Sequence, residues 1–335
     1  MPPKIEFVFG GMGQLSSRQQ LPRMEEDMSQ SAVAEIPLQP RQPRRFFKPE
    51  TQTAMLFLLP SFLGFMIFMA LPIVASLALS FTNWQLISTP SFVGFQNYIK
   101  LFTVDPAFYT ILGNTLFFAV EYLAVNIIVS LTLAVWISSL KRGKAIFRVI
   151  FFLPTFTPTI AASVVWLLIF TPDGLADSVI RSLGLGLPNF LLSSTWAMQA
   201  VVLVTLWANV GYNVVMFNAA LDLVPKHYLE AATIDGANVW QRFWRIRLPL
   251  ISPTIFFATV MTAITSLQVF DEIFAMTRGG PGSATATLGF AIYQKGFTNF
   301  QMGYASALAW VMFVMIMALT ILQFHMQRKW VHYDD

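Results

Sequence analysis

The sequence predicts an all-α membrane protein with six transmembrane helices. Its 335 residues are 56% hydrophobic and only 11% charged, less than half of the roughly 25% that is usual in soluble domains. Six apolar stretches are long enough to cross a hydrocarbon core of about 30 Å, which takes roughly 20 helical residues. The Lys and Arg residues gather in alternate connections, which is the pattern of a multi-pass membrane protein.

The predicted spans follow the apolar runs in order, at about 54–81, 114–138, 146–170, 197–221, 250–275 and 303–324. Membrane helices tolerate proline where neighbouring groups satisfy the freed carbonyls. Several spans contain or border such a residue: Pro60, Pro72, Pro154, Pro158 and Pro253. Residues 53–328 therefore form the membrane domain. The polar residues 1–52 before it are expected to be a disordered or loosely ordered cytoplasmic tail, and residues 329–335 a short cytoplasmic C-tail.

The orientation follows from the positive charges. With the N-terminus in the cytoplasm, 17 of the 21 Lys and Arg residues lie on the cytoplasmic side, as the positive-inside rule requires. Both termini are therefore expected on the cytoplasmic side of the membrane. This placement also explains the net charge of +4 without nucleic acid as a partner; membrane lipid is the expected contact. The long outer connections 82–113, 171–196 and 276–302 either serve as functional surfaces or cap the bundle.

The sequence offers no catalytic or metal-binding constellation. It has no cysteine, and its histidines, His227, His325 and His332, are scattered. A phosphate-binding loop with a Gly-Lys-Ser/Thr ending is also missing, since Gly143-Lys144 is followed by Ala145. We therefore expect no catalytic residue, no metal and no ATP site in this chain.

The connection between the fourth and fifth spans, residues 225–249, is charged and short, and we call it the elbow. Pro225 suits a first helical turn, so Lys226 to Ile234 is predicted to be helical. Asp235-Gly236 is a turn signal, because glycine accepts positive φ at a helix end. Ala237 to Arg247 is predicted to be a second helix, lying on the cytoplasmic surface.

The elbow resembles the "EAA" loop of binding-protein-dependent ABC importer permeases. Glu230-Ala231-Ala232, Gly236, Ile246 and Leu248-Pro249 occupy every defined position of that loop. Residues 93–118 and 276–309 look like sequences of the carbohydrate branch of this permease family. The chain is similar to the first permease partner of maltose, glycerol-phosphate and oligosaccharide importers. The resemblance covers most of 53–328 but not the N-tail. It implies coupling to an ATPase through six elbow residues: Glu230, Ala231, Ala232, Asp235, Gly236 and Ala237.

The same resemblance implies a location in a bacterial inner membrane. It also implies partner proteins and a cofactor that one of these partners binds. The partners would be a second permease, a dimer of ATP-binding subunits and an extracytoplasmic solute-binding protein. ATP and Mg would be bound by the ATP-binding subunit, because this chain has no cofactor site. Specificity in such systems lies largely in the binding protein, so the sequence does not name the solute.

Polar residues inside spans usually face a cavity or another helix. The family places its solute site on the fourth and fifth spans. We therefore expect five polar residues of these two spans and one of the second span to form the solute path: Asn209, Tyr212, Asn213, Ser266, Gln268 and Tyr122. Other polar groups are expected to be structural, namely Asn126, Asn218, Thr262 and Thr265. Asp271 and Glu272 are expected near the outer end of span five, facing water, pairing with Arg278 or contacting the binding protein.

Competing interpretations remain open at this point. The solute could be a sugar, an oligosaccharide or a sugar derivative, or alternatively glycerol phosphate or another polyol. An ion-coupled secondary carrier would need a deep acidic residue, for which Glu121 is the one clear candidate, and it would leave the elbow unexplained. A membrane-embedded enzyme would need reactive groups that the sequence does not show.

Overall fold

The computed structural model describes residues 49–184 and 189–327. The predicted tails, residues 1–48 and 329–335, lie outside this part, while residues 49–52 form the first turn of a helix. The chain divides into two units, residues 1–60 and 61–335. The described residues are almost entirely helical, and their extended pairings are two isolated bridges. The predicted all-α class is confirmed.

Fourteen α-helices make up the described chain. In order they are α1 Pro49–Phe65, α2 Leu71–Ser80, α3 Gln96–Ile99, α4 Pro106–Ser139, α5 Lys144–Phe152, α6 Thr159–Phe170, α7 Leu175–Ser182, α8 Ala197–Leu223, α9 Lys226–Ile234, α10 Val239–Arg242, α11 Leu248–Leu250, α12 Ser252–Leu267, α13 Leu288–Tyr293 and α14 Met302–Gln327. Short π-helical segments cover Met66–Ala70, Lys100–Val104, Phe243–Arg247, Ile273–Thr277 and Gln294–Thr298, and a 3-10 turn covers Leu153–Phe156.

Five of the described helical segments are long and apolar enough to cross a membrane. They are Thr53–Ser80, Pro106–Ser139, Thr159–Ser182, Ala197–Leu223 and Met302–Gln327. A sixth span results if the pair Val239–Leu250 and Ser252–Leu267, bent by 68°, is counted as one. The predicted number of six therefore depends on treating this broken element as a single span.

The third predicted span is not one helix, so the continuous segment 146–170 was wrong. The chain forms α5, leaves helical geometry around Pro154 and Pro158, and resumes as α6. Proline lacks the N–H of a helix bond and disfavours helical geometry in the residue before it, so two prolines four residues apart interrupt the helix. The break is tied to α8, because the Thr155 hydroxyl donates a hydrogen bond to the Ala208 carbonyl at 3.1 Å.

The fifth span also ends early, so the predicted end at residue 275 was wrong. Helix α12 stops at Leu267, and residues 268–270 are not helical. The carbonyl of Val269 accepts a hydrogen bond from the Thr287 hydroxyl at 3.2 Å. A residue of the connection 276–302 therefore satisfies a carbonyl that would have accepted a backbone hydrogen bond in a longer helix. Irregular backbone within a membrane domain is stable where it is buried in protein or lines a cavity.

Helix α8 is the centre of the bundle. It packs against α4, α12 and α5, and its buried Phe217 meets Ala134 of α4 and Ala258 of α12. Its approach to α5 is close at Gly211, where an added Cβ would lie 2.0 Å from the Phe151 carbonyl oxygen. Small residues at such crossings allow membrane helices to pack backbone to backbone. Helix α8 is therefore largely enclosed by its neighbours, with 61% of its membrane-length stretch buried, while Leu203, Trp207 and Tyr212 are exposed.

Candidate functional site

A polar cavity of about 670 Å³ opens between α4, α8 and α12. Its remaining walls come from the proline break before α6 and from the irregular segment after α12. The lining side chains are mostly hydroxyls and amides, with aromatic rings among them. They are Phe118, Tyr122, Thr155, Thr159, Thr205, Asn209, Tyr212, Asn213, Met261, Thr262, Thr265, Ser266, Gln268, Val269, Phe270, Asp271 and Glu272.

All the residues that the sequence suggested for a solute path lie on this cavity. Exposed side chains come from α8 and from the end of α12: Asn209, Tyr212 and Gln268. Buried ones form the wall behind them: Tyr122, Asn213 and Ser266. The structure thus brings together residues up to 146 positions apart in the chain, Tyr122 and Gln268, into one polar surface.

A buried hydrogen-bond network holds the three main walls together. The Asn213 amide donates to Asn126 Oδ1 at 2.6 Å and to Thr262 Oγ1 at 3.0 Å. The Asn126 amide in turn donates to the Tyr122 hydroxyl at 3.1 Å. These bonds link α8 to α4 and to α12. The structural roles predicted for Asn126 and Thr262 agree with these contacts, and Asn213 has a structural role besides facing the cavity.

Asp271 and Glu272 line the cavity, which the sequence did not indicate. Glu272 is only 5% exposed, so the expectation that it faces water was wrong. Neither carboxyl group forms an ion pair with Arg278 among the described residues. Contact of Asp271 and Glu272 with the binding protein stays a prediction.

Sequence reasoning also missed Thr155 and Thr159 as lining residues. They belong to the proline break that interrupts the third span. The two prolines were the available signal, because a broken helix at membrane depth commonly lines a cavity. Their position facing α8 required the tertiary structure.

The elbow forms the predicted first helix and turn. Helix α9 covers Lys226–Ile234, and Gly236 follows with φ of +80°, the left-handed geometry that favours glycine. The second helix begins two residues later than predicted, because Asn238 caps α10 at Val239, and helical geometry continues through a π-helical turn to Leu250. The Asn238 side chain accepts from the Gln241 N–H and the Gln241 side chain accepts from the Asn238 N–H, a capping box.

The two arms of the elbow are joined by one side-chain contact. Arg242 Nη1 donates to Thr233 Oγ1 at 2.5 Å. Otherwise the elbow is open: the predicted coupling residues Glu230, Ala231, Asp235 and Gly236 are exposed, while Ala232 and Ala237 are half-buried. Large apolar side chains share this exposure, with Ile234 at 87% and Trp240 at 72%.

The elbow lies directly between two walls of the cavity. Helix α8 ends at Leu223 just before the elbow, and α12 starts at Ser252 just after it. The last turns of α8 are also clamped to α5, because the Arg148 guanidinium donates to Asp222 at 2.6 Å and to Asn218 at 3.3 Å. The elbow is therefore joined in sequence to two helices that wall the cavity, with a bend of 68° between its second helix and α12.

Comparisons with known proteins identify the class of molecule. A family model described as "Binding-protein-dependent transport system inner membrane component" matches residues 126–332, which include α8, the elbow and α12. The chain is therefore a multi-pass inner-membrane permease subunit, a kind of protein without an ATPase site of its own. It belongs to the family of binding-protein-dependent transport system inner membrane components.

Curated relatives agree with this family over most of their length. The chain is 34% identical over 283 residues to a probable ABC transporter permease protein, YesP, of Bacillus subtilis, covering 83% of this chain and 91% of the relative. It is 36% identical to the sn-glycerol-3-phosphate transport system permease protein UgpA of Yersinia pestis, covering 72% of this chain and 82% of the relative. It is 32% identical to the lactose transport system permease protein LacF of Rhizobium radiobacter, covering 82% and 93%.

A solved structure shares the fold. A chain of a bacterial alginate ABC transporter, crystallised with an alginate pentasaccharide-bound periplasmic protein, superimposes with a TM-score of 0.75. The match covers 84% of this chain and 96% of that chain at 22% identity. The helical architecture described above is therefore that of an ABC importer membrane subunit.

Proposed function

We propose that this chain is the permease subunit of an ATP-driven importer for a sugar, an oligosaccharide or a sugar derivative, and that the polar cavity is part of the solute path. The observation that carries the proposal is the cavity lining. Hydroxyl and amide side chains suit the many hydroxyls of a sugar, and aromatic rings such as Tyr212 and Phe270 suit its C–H faces. A site that mixes apolar walls with placed polar groups is typical of small-molecule recognition.

The elbow is the proposed coupling surface. It docks on an ATP-binding subunit, with Glu230, Ala231, Ala232, Asp235, Gly236 and Ala237 at the contact. Support comes from the exposure of α9 and from the direct continuity of the elbow with α8 and α12. ATP and Mg are bound by that partner, and this chain carries out no reaction of its own.

The proposed assembly has three further components: a second permease, a dimer of ATP-binding subunits and an extracytoplasmic solute-binding protein. Both termini of this chain are cytoplasmic. The orientation is supported by the placement of 17 of the 21 Lys and Arg residues. The solute-binding partner is supported by the alginate transporter, whose described complex includes a periplasmic protein.

The test is isolation of the tagged chain from its own membranes, followed by mass spectrometry and reconstitution. We expect an ATP-binding subunit and a second permease to copurify. In vesicles, a labelled sugar such as lactose, presented with the binding protein, should then accumulate only with ATP on the ATPase side. Accumulation by the isolated chain under an ion gradient would contradict the proposal and indicate a secondary carrier.

A further inference from the structure

The cavity carries acidic groups and no basic ones. Asp271 and Glu272 line it, and among its described lining residues none is Lys, Arg or His. Because Asp271 is half-buried and has no basic neighbour in the lining, the wall carries an uncompensated negative charge, even though the whole chain has a net charge of +4. Cavities lined by one sign of charge, with low-dielectric walls, concentrate ions of the opposite sign and repel ions of the same sign.

Glu272 is buried in the cavity wall. It is 5% exposed, and the next residue, Ile273, is fully buried against α4 and α8. A carboxyl group fixed in this way offers oxygen lone pairs to hydroxyl donors of a solute without moving. Asn209 and Gln268 line the same cavity, so amide groups belong to the same polar surface.

We infer that the cavity passes uncharged polyhydroxylated solutes and excludes anionic ones, with Asp271 and Glu272 as the residues that determine this selectivity. The inference rests on the proposed function and narrows it. A phosphorylated solute, of the kind named for the glycerol-phosphate relatives, would meet two carboxylates and no cationic side chain among the described residues of the cavity. A neutral sugar or polyol would find acceptors in the carboxylates and donors in the neighbouring amides and hydroxyls.

The absence of cysteine from this chain allows a direct measurement of the field in the cavity. In the assembled importer, Gln268→Cys places a unique thiol of this chain in the lining, and Asn209→Cys provides a second, independent position. The probes are trimethylammonium-ethyl, sulfonate-ethyl and hydroxyethyl methanethiosulfonates, which carry positive, negative and no charge. Each labelling rate is divided by the rate for a small free thiol, and labelling of the tagged chain is measured by mass shift.

We expect the normalised cation-to-anion rate ratio to exceed unity by about 10-fold or more, since each carboxylate attracts one reagent and repels the other. The double variant Asp271→Asn with Glu272→Gln should return the ratio to near unity. Asp173→Asn is the matched control: it removes the same type of charge from an exposed position outside the cavity lining, so the ratio should not change.

The outcomes distinguish failure of the selectivity inference from failure of the proposed function. Labelling by the neutral reagent with anionic rates equal to or above cationic rates at both cysteine positions would overturn the inference and leave the solute path intact. Failure of the neutral reagent to label either position in any nucleotide state would show that the cavity is not on an aqueous path. That result would overturn the proposed function and the inference together.

Discussion

The polar cavity and the elbow are built in opposite ways. Around the cavity, polar groups are buried and bonded to one another across helices, as in the link from Asn213 to Asn126 and Thr262. In the elbow, polar bonds are local, as in the capping box of Asn238, and large apolar groups such as Trp240 are exposed. The helices around the cavity are thus joined by the chain's own contacts, whereas the elbow presents a surface suited to another protein.

The energetic consequences differ accordingly. Interhelical hydrogen bonds in membrane proteins contribute about 0.6 kcal/mol on average, and up to roughly 1.7, so several together fix the cavity walls. The nine-residue helix α9 is shorter than the roughly 12 to 15 residues that an isolated helix needs for stability in water. It depends on its turn, its attachment to α8 and α12, and the partner we propose. Changes in the bundle should alter stability, and changes in the elbow should alter transport.

The largest expected effect is on the bundle side, from Gly211→Ala. An added Cβ would lie 2.0 Å from the Phe151 carbonyl oxygen, so α5 and α8 must separate. Overpacking of this kind costs about 1–3 kcal/mol or more. We expect a lower melting temperature of the purified importer and less assembled protein. The control is Gly113→Ala in α4, where nothing lies within 4 Å; equal melting of the two variants would refute the close-packing argument.

The next effect belongs to the elbow, from Gly236→Val. At φ of +80°, a β-branched residue is strained by about 1–3 kcal/mol, so the turn between α9 and α10 deforms. If roughly 1.8 kcal/mol of that strain is lost from docking on the ATP-binding subunit, uptake should fall about 20-fold. We expect membrane insertion and the melting temperature of the importer to stay unchanged.

Gly143→Val is the matched control for this prediction. Gly143 has φ of +81° and open space around it, like Gly236, but it lies in another connection. We expect it to retain most of the uptake. Equal losses in both variants would mean that backbone strain alone, at any connection, reduces transport.

A smaller stability effect is expected from Asn213→Leu. The change removes the bonds to Asn126 and Thr262 and leaves their buried polar atoms short of a partner. We expect a loss of about 1–2 kcal/mol, measured as reduced resistance of the importer to denaturation. Asn209→Leu is the control on the same helix, because Asn209 bonds only to the Thr205 carbonyl one turn before it. Similar losses for both variants would show that the interhelical network contributes little.

The smallest effect should come from Trp240→Ala on the elbow. This side chain is 72% exposed, so its removal should leave stability within about 0.5 kcal/mol of the parent. We expect uptake to fall about 3-fold, because exposed aromatic side chains are frequent anchors of protein interfaces. Phe68→Ala, at an 82% exposed position in the first span, should leave uptake unchanged. A stability loss in Trp240→Ala would place the residue in the fold instead of an interface.

Sequence reasoning succeeded where local chemistry determines structure. The helix from Lys226 to Ile234 and the turn at Gly236 follow from a proline start and a glycine end, and the structure has both. The lining residues on α8 followed from polar side chains in an apolar run, together with the family resemblance. These signals lie within a few residues of the features that they predict.

Sequence reasoning failed where a helix ends for tertiary reasons. No proline or glycine marks the end of α12 at Leu267, and Val269 is instead held by Thr287 from the connection 276–302. Hydropathy alone did not indicate that Asp271 and Glu272, which follow this end, line the cavity. The break around Pro154 and Pro158 was visible in the sequence, but its approach to α8 depends on packing between distant segments.

The most direct test of the account is the accessibility of a cavity cysteine as the nucleotide state changes. The importer assembled with Gln268→Cys is labelled with the hydroxyethyl reagent, with and without ATP. We expect a severalfold change in labelling rate between the two states, and we expect Gly236→Val to abolish the change while leaving the ATP-free rate as in the parent. A labelling rate that is the same with and without ATP would contradict coupling of the cavity to the ATPase through the elbow. A nucleotide response that persists in Gly236→Val would contradict it as well.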